Sequence, residues 1–122
     1  MKKLILFSVM LVMRLAPLSA QNNCTSLRYQ DTVFHAVTQT NDYYFGSATA
    51  YLGLTPQDLY LDIYQPANDT LKLRPLIVYQ FGGGFVIGWR EEPDIPQYAT
   101  YFAQCGYVVA TIDYRIGLNP LD

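Results

Sequence analysis

Hydrophobic and polar positions alternate along Asp58-Leu59-Tyr60-Leu61-Asp62-Ile63-Tyr64, with Leu59, Leu61 and Ile63 on one side and Tyr60, Asp62 and Tyr64 on the other. A period of two predicts a strand, and Gln65-Pro66-Ala67-Asn68-Asp69 closes it with turn formers. After Pro75, Leu76 to Phe81 is a nearly continuous apolar run, the pattern of a strand buried on both faces. Gly82, Gly83 and Gly84 stop it. From Asp94 to Cys105 the spacing changes: Ile95, Tyr98, Phe102 and Cys105 recur every three or four residues, which predicts a helix with Pro96 in its first turn and Gly106 at its stop. Tyr107 to Tyr114 reads as another buried strand. Upstream, Tyr29 to Tyr44 mixes β-formers with polar residues and predicts one strand near Phe34–Thr40. Gly46-Ser47 interrupts that pattern, and Ala48–Gly53 extends a hairpin or ends it.

The order strand, strand, strand, glycine loop, helix, strand implies an α/β fold with a mixed sheet. N-terminal antiparallel strands come first. A parallel strand-helix-strand unit with a right-handed crossover follows.

At 122 residues, with 51% apolar and 15% charged positions, the chain suits one small domain and not a disordered segment. Its start is a separate object. Lys2 and Lys3, the apolar run Leu4 to Met13 broken by Ser8, and the small residues of Leu18-Ser19-Ala20 have the order of a secretory signal peptide over residues 1–20. Arg14 leaves the run short for a bilayer span, so no stable membrane anchor is expected. Export to a secreted or periplasmic location follows, with residues 21–122 as the mature portion. Loss of Lys2, Lys3 and Arg14 from eight basic residues leaves five against ten acids, a formal net charge of −5. That balance excludes a basic nucleic-acid footprint and favours neutral small-molecule partners. Cys24 and Cys105 could form one disulfide in an oxidising compartment. Asn23-Cys24-Thr25 and Asn68-Asp69-Thr70 match the glycosylation triplet, a short pattern that chance also produces.

Phe81-Gly82-Gly83-Gly84-Phe85 carries the chemistry. Consecutive glycines after a buried strand leave N–H groups uncovered and permit positive φ, which suits a phosphate or the oxyanion of an acyl-transfer intermediate. A phosphate-binding P-loop requires Lys and Ser/Thr after its glycines, whereas Phe85-Val86-Ile87-Gly88-Trp89 follows here. A dinucleotide fingerprint would place its last glycine at position 87, which holds Ile87. No nucleotide or other cofactor is therefore expected. The oxyanion reading stands against a plain tight turn.

Three stretches then resemble the start of the carboxylesterase and lipase group of α/β-hydrolases: Leu61-Asp62-Ile63-Tyr64-Gln65-Pro66, Leu76 to Phe85, and Gly106 to Arg115. The similarity spans about residues 29–120 and implies an incomplete α/β-hydrolase fold. It implies that Gly83 and Gly84 supply oxyanion N–H donors, the third coming from the residue after a nucleophile beyond residue 122. The apolar sequel of the loop fits a wall around an acyl or alcohol group, with Phe85 and Trp89 as pocket-lining candidates, although Trp89 suits a core role as well. Phe81 stands where the group's His usually opens the loop, so loop order must come from packing. Asp113 and Arg115 read as structural, an ion pair or partners for backbone groups. Asp62, between Leu61 and Ile63, reads as a solvated or hydrogen-bonded structural residue.

No Gly-x-Ser-x-Gly occurs, and after residue 20 the only serines are Ser26 and Ser47. His35, the only histidine, comes too early for the nucleophile-acid-histidine order and suits a half-buried strand position. The chain thus reads as a hydrolase fragment, truncated before its nucleophile and inactive alone. Its apolar strand Leu76–Phe81 would be an open edge, so instability or self-association is expected. The leading function is a secreted ester hydrolase with a Ser-His-Asp/Glu mechanism acting on a neutral ester. The alternatives are a serine peptidase of the same fold, of the prolyl-oligopeptidase kind, and a non-catalytic binding module that lost its nucleophile.

Overall fold

The computed structural model describes residues 27–49 and 55–117. The expected signal peptide and Cys24 lie outside the described residues. Strand β1 (Val37–Thr49) pairs antiparallel with β2 (Pro56–Pro66). Strand β3 (Leu76–Gln80) leads through the glycine loop to helix α1 (Ile95–Gln104) and then to β4 (Val108–Ile112). β4 lies between β2 and β3, antiparallel to the first and parallel to the second, giving the order β1-β2-β4-β3.

Local chemistry explains the helix boundaries. Pro96 falls in the first turn, where its missing N–H removes no intrahelical bond. At the other end Gly106 adopts φ +108°, and two bonds close a Schellman motif: Gly106 N–H to the Ala103 carbonyl (2.9 Å) and Tyr107 N–H to the Phe102 carbonyl (3.1 Å). The side chains of Ala99 and Ala103 are small enough to let α1 lie close to the sheet. They pack with Tyr64 and Val109 in a core bordered by Val37, Ile77, Tyr79, Phe102 and Tyr107.

The segment before β1 secures the helix C-terminus. Val33 and Phe34 N–H groups both donate to the Gln104 carbonyl at 3.0 Å, and Tyr29 N–H donates to the Cys105 carbonyl at 2.7 Å. Carbonyls that the helix leaves without partners are satisfied in this way. Arg28 binds Asp69 through both of its terminal nitrogens, one bond being 3.2 Å, and its guanidinium lies over the Tyr29 and Phe34 rings. Cys105 is buried at this junction.

The structure corrects the expectations for β1, β3 and His35 and shows which face of β2 is covered. β1 does not end near Thr40 but runs through Gly46-Ser47 to Thr49. Two register shifts, between Thr40 and Tyr43 and between Tyr44 and Gly46, absorb extra residues as bulges, and each bulge resets the inside-outside alternation. On β2 the polar-looking face is the covered one: Asp62 and Tyr64 are buried, while Leu61 and Ile63 are only partly so. β3 is not buried on both faces. Ile77 and Tyr79 turn toward the core, whereas Leu76 and Val78 are 60% and 54% exposed on an edge strand. His35 precedes β1 and is exposed, not half-buried in a strand.

Candidate active site

The glycine loop leaves the end of β3. Phe81 is buried at 5% exposure and anchors the entry, while Gly82 to Ile87 are exposed. Gly83 (φ +116°), Gly84 (φ +62°) and Phe85 (φ +62°) all take the left-handed side of backbone space. At Gly83 this requirement is absolute: a Cβ there would lie 1.7 Å from the Ile87 carbonyl oxygen. The loop closes on itself through the Gly83 carbonyl, which accepts from Val86 N–H (3.1 Å) and Ile87 N–H (3.3 Å). The N–H groups of Gly83 and Gly84 donate to no acceptor among the described residues. Exposed, undonated amides on a left-handed backbone can receive an anion.

The other expected site residues lie on the same loop. Phe85 is half-exposed, edge-on to the Tyr114 ring at 5.5 Å, and its carbonyl accepts from Gly117 N–H at 2.7 Å. Trp89 is 55% exposed, so its expected alternative as a core residue is not realised. Its carbonyl accepts from Glu92 N–H at 3.3 Å as the chain turns toward α1.

Arg90, immediately after this loop, gathers carboxylates from several elements. Its Nε lies 3.2 Å from Asp62 Oδ1 and its Nη1 lies 2.8 Å from Asp113 Oδ2. Nη2 reaches Asp42 and, at 3.4 Å, Glu91. Asp113 therefore pairs with Arg90 and not with Arg115, which is exposed. Asp62 also accepts from Asp42 N–H (2.9 Å), filling the gap left in the ladder by the first bulge of β1. Asp113 likewise accepts from Tyr60 N–H at 3.2 Å. Burial works against the Arg90 charge, yet Asp113, Asp62 and Glu91 hold its pKa above the ordinary value. Asp42, Asp62 and Glu91 place carboxylate oxygens within 4.8 Å of one another, a spacing that could hold a metal ion. The Arg90 guanidinium bonds all three and supplies the cation there, so the cluster is an ion-pair hub. No local motif announces this hub, because its members are brought together from β1, β2, the loop and the end of β4.

A mixed sheet with a helix on one face and a glycine loop at the end of β3 is the arrangement of a partial α/β fold. Residues 61–119 match the BD-FAE family model. Among particular relatives, the chain is 39% identical over 69 residues to the cAMP-regulated D2 protein of Dictyostelium discoideum, covering 55% of this chain and 12% of that protein. Among solved structures it is similar to brefeldin A esterase, described as a bacterial homologue of human hormone-sensitive lipase. That similarity has 20% identity and a TM-score of 0.49, and covers 84% of this chain and 24% of the other. The chain thus spans about an eighth to a quarter of the length of these relatives.

Proposed function

We propose that this chain is the N-terminal part of a secreted carboxylic-ester hydrolase and supplies two donors of its oxyanion hole, Gly83 and Gly84. A serine beyond residue 122 attacks the ester carbonyl, with His as base and Asp or Glu orienting it. The oxyanion that develops is held by the two glycine amides and a third from the residue after the serine. The observation that carries this reading is the pair of exposed amides without acceptors among the described residues, on a loop that uses the Gly83 carbonyl to fold but leaves the N–H groups open. Phe85 and Trp89, exposed beside them, offer apolar walls to a neutral substrate. Residues 1–20 direct export. No helix among the described residues is long and apolar enough to cross a membrane.

The test is Gly83→Ala in the protein extended through its nucleophile. A Cβ 1.7 Å from the Ile87 oxygen forces the loop open. We expect hydrolysis of a neutral chromogenic ester to fall by about 10²–10³-fold, the usual cost of one oxyanion donor. Circular dichroism confirms that the variant is folded. A folded Gly83→Ala variant with the wild-type rate refutes the assignment. Turnover of peptides in place of esters would favour the peptidase alternative.

A further inference from the structure

We propose that Tyr114 is a positioning residue for the glycine loop, fixing the Gly83 and Gly84 amides from outside the loop. The inference rests on the oxyanion reading above and adds the residue that keeps those donors aimed. Position 81 carries a phenylalanine, which has no polar atom with which to hold three consecutive glycines. The structure supplies the missing hold from the far end of β4. The Tyr114 ring stacks on Phe81, with centroids 4.3 Å apart and planes 20° apart, and its hydroxyl donates to the Phe81 carbonyl at 3.2 Å. The same ring meets the edge of Phe85 at 5.5 Å. Tyr114 therefore touches both residues that bracket Gly82-Gly83-Gly84.

Two further contacts lock the bracket. Gly88 returns the chain against the Phe81 ring so closely that a Cβ there would lie 2.5 Å from Phe81 Cδ2. Gly117 N–H, three residues beyond Tyr114, holds the Phe85 carbonyl at 2.7 Å. Glycines contribute no side chains of their own, so their orientation depends on these flanking anchors. A loop fixed at both ends loses less freedom when its amides receive a developing charge, which is the benefit of preorganised donors. Tyr114 touches no reacting atom in this scheme and acts through Phe81 and Phe85.

Tyr114→Phe removes the hydroxyl alone, and Tyr114→Leu removes the ring as well. Both are made in the protein extended through its nucleophile. The readouts are kcat and KM for a neutral ester, the thermal midpoint, and the exchange rates of the Gly83 and Gly84 amide protons. One neutral hydrogen bond corresponds to about fivefold, so Tyr114→Phe should lower kcat by about three- to tenfold with KM within about twofold. Tyr114→Leu should lower kcat by about a hundredfold, since aromatic contacts are lost too. Both should speed exchange at Gly83 and Gly84 while Tyr114→Phe leaves the thermal midpoint nearly unchanged. Wild-type kcat and exchange in both variants overturns the proposal, as does a kcat loss that merely follows loss of folded protein. A wild type that hydrolyses no ester removes the oxyanion reading instead. In that case exchange alone decides: faster rates keep the clamp, and unchanged rates overturn it.

Discussion

Replacing Arg90 with Met keeps much of the side-chain stem while deleting the one cation that the described residues place among Asp42, Asp62, Glu91 and Asp113. The expected cost can be apportioned contact by contact. Asp62 is 1% exposed; it loses its 3.2 Å bond to Nε and retains only the Asp42 amide. Asp113 loses a 2.8 Å bond and retains the Tyr60 amide. Asp42 and Glu91 are largely in water, where such pairs contribute little. Removing one partner of a fully buried pair costs about 3–5 kcal/mol, and retained amide bonds reduce this, so Arg90→Met should cost about 2–4 kcal/mol. Glu91→Gln should cost less than about 0.5 kcal/mol. Adding Asp62→Asn to Arg90→Met should recover about 1–2 kcal/mol, because an amide still accepts from Asp42 N–H without leaving a buried charge unpaired. Urea unfolding of the three variants and the parent measures these differences as midpoint shifts at constant slope. The account fails if Arg90→Met stays within about 0.5 kcal/mol of the parent, or if the double variant is no more stable than Arg90→Met.

The remaining expectations are briefer. Hydrogen bonding from Arg28, with help from the Leu71 amide and Arg74, holds the Asp69 carboxyl below the ordinary carboxylate range. A depressed folded pKa contributes stability that is present above the unfolded value of about 3.9 and is lost as pH falls through the folded value. The thermal midpoint of the parent should therefore drop more steeply below about pH 4 than that of Asp69→Asn, and parallel curves would refute this. Val78, exposed on the open edge strand β3, offers apolar surface to a second strand. Val78→Lys should reduce self-association of the chain in sedimentation experiments at tens of micromolar, and an unchanged association state would show that this edge is not responsible.

The sequence by itself determined what depends on neighbours a few residues apart. The helix from Ile95 to Gln104, its proline start and glycine stop, the strand around Asp58–Tyr64 and the loop after Leu76–Gln80 all rest on local spacing or on glycine's backbone freedom. β1 was legible only over Val37–Thr40, because its two bulges break the period of two that reveals a strand. Tertiary structure alone decided which face of β2 is covered: α1 docks on the Tyr64 side, so burial follows the helix and not the apparent polarity of the strand. It also decided the partners of Asp62 and Asp113. Arg90 lies 28 and 23 positions from them, and only chain folding, which local periodicity does not encode, brings a guanidinium across that separation. The setting of the glycine loop divides in the same way. Three glycines in a row were legible as a loop able to turn its amides outward, whereas the ring of Tyr114 against Phe81, 33 positions apart, exists only because β3 and β4 lie side by side.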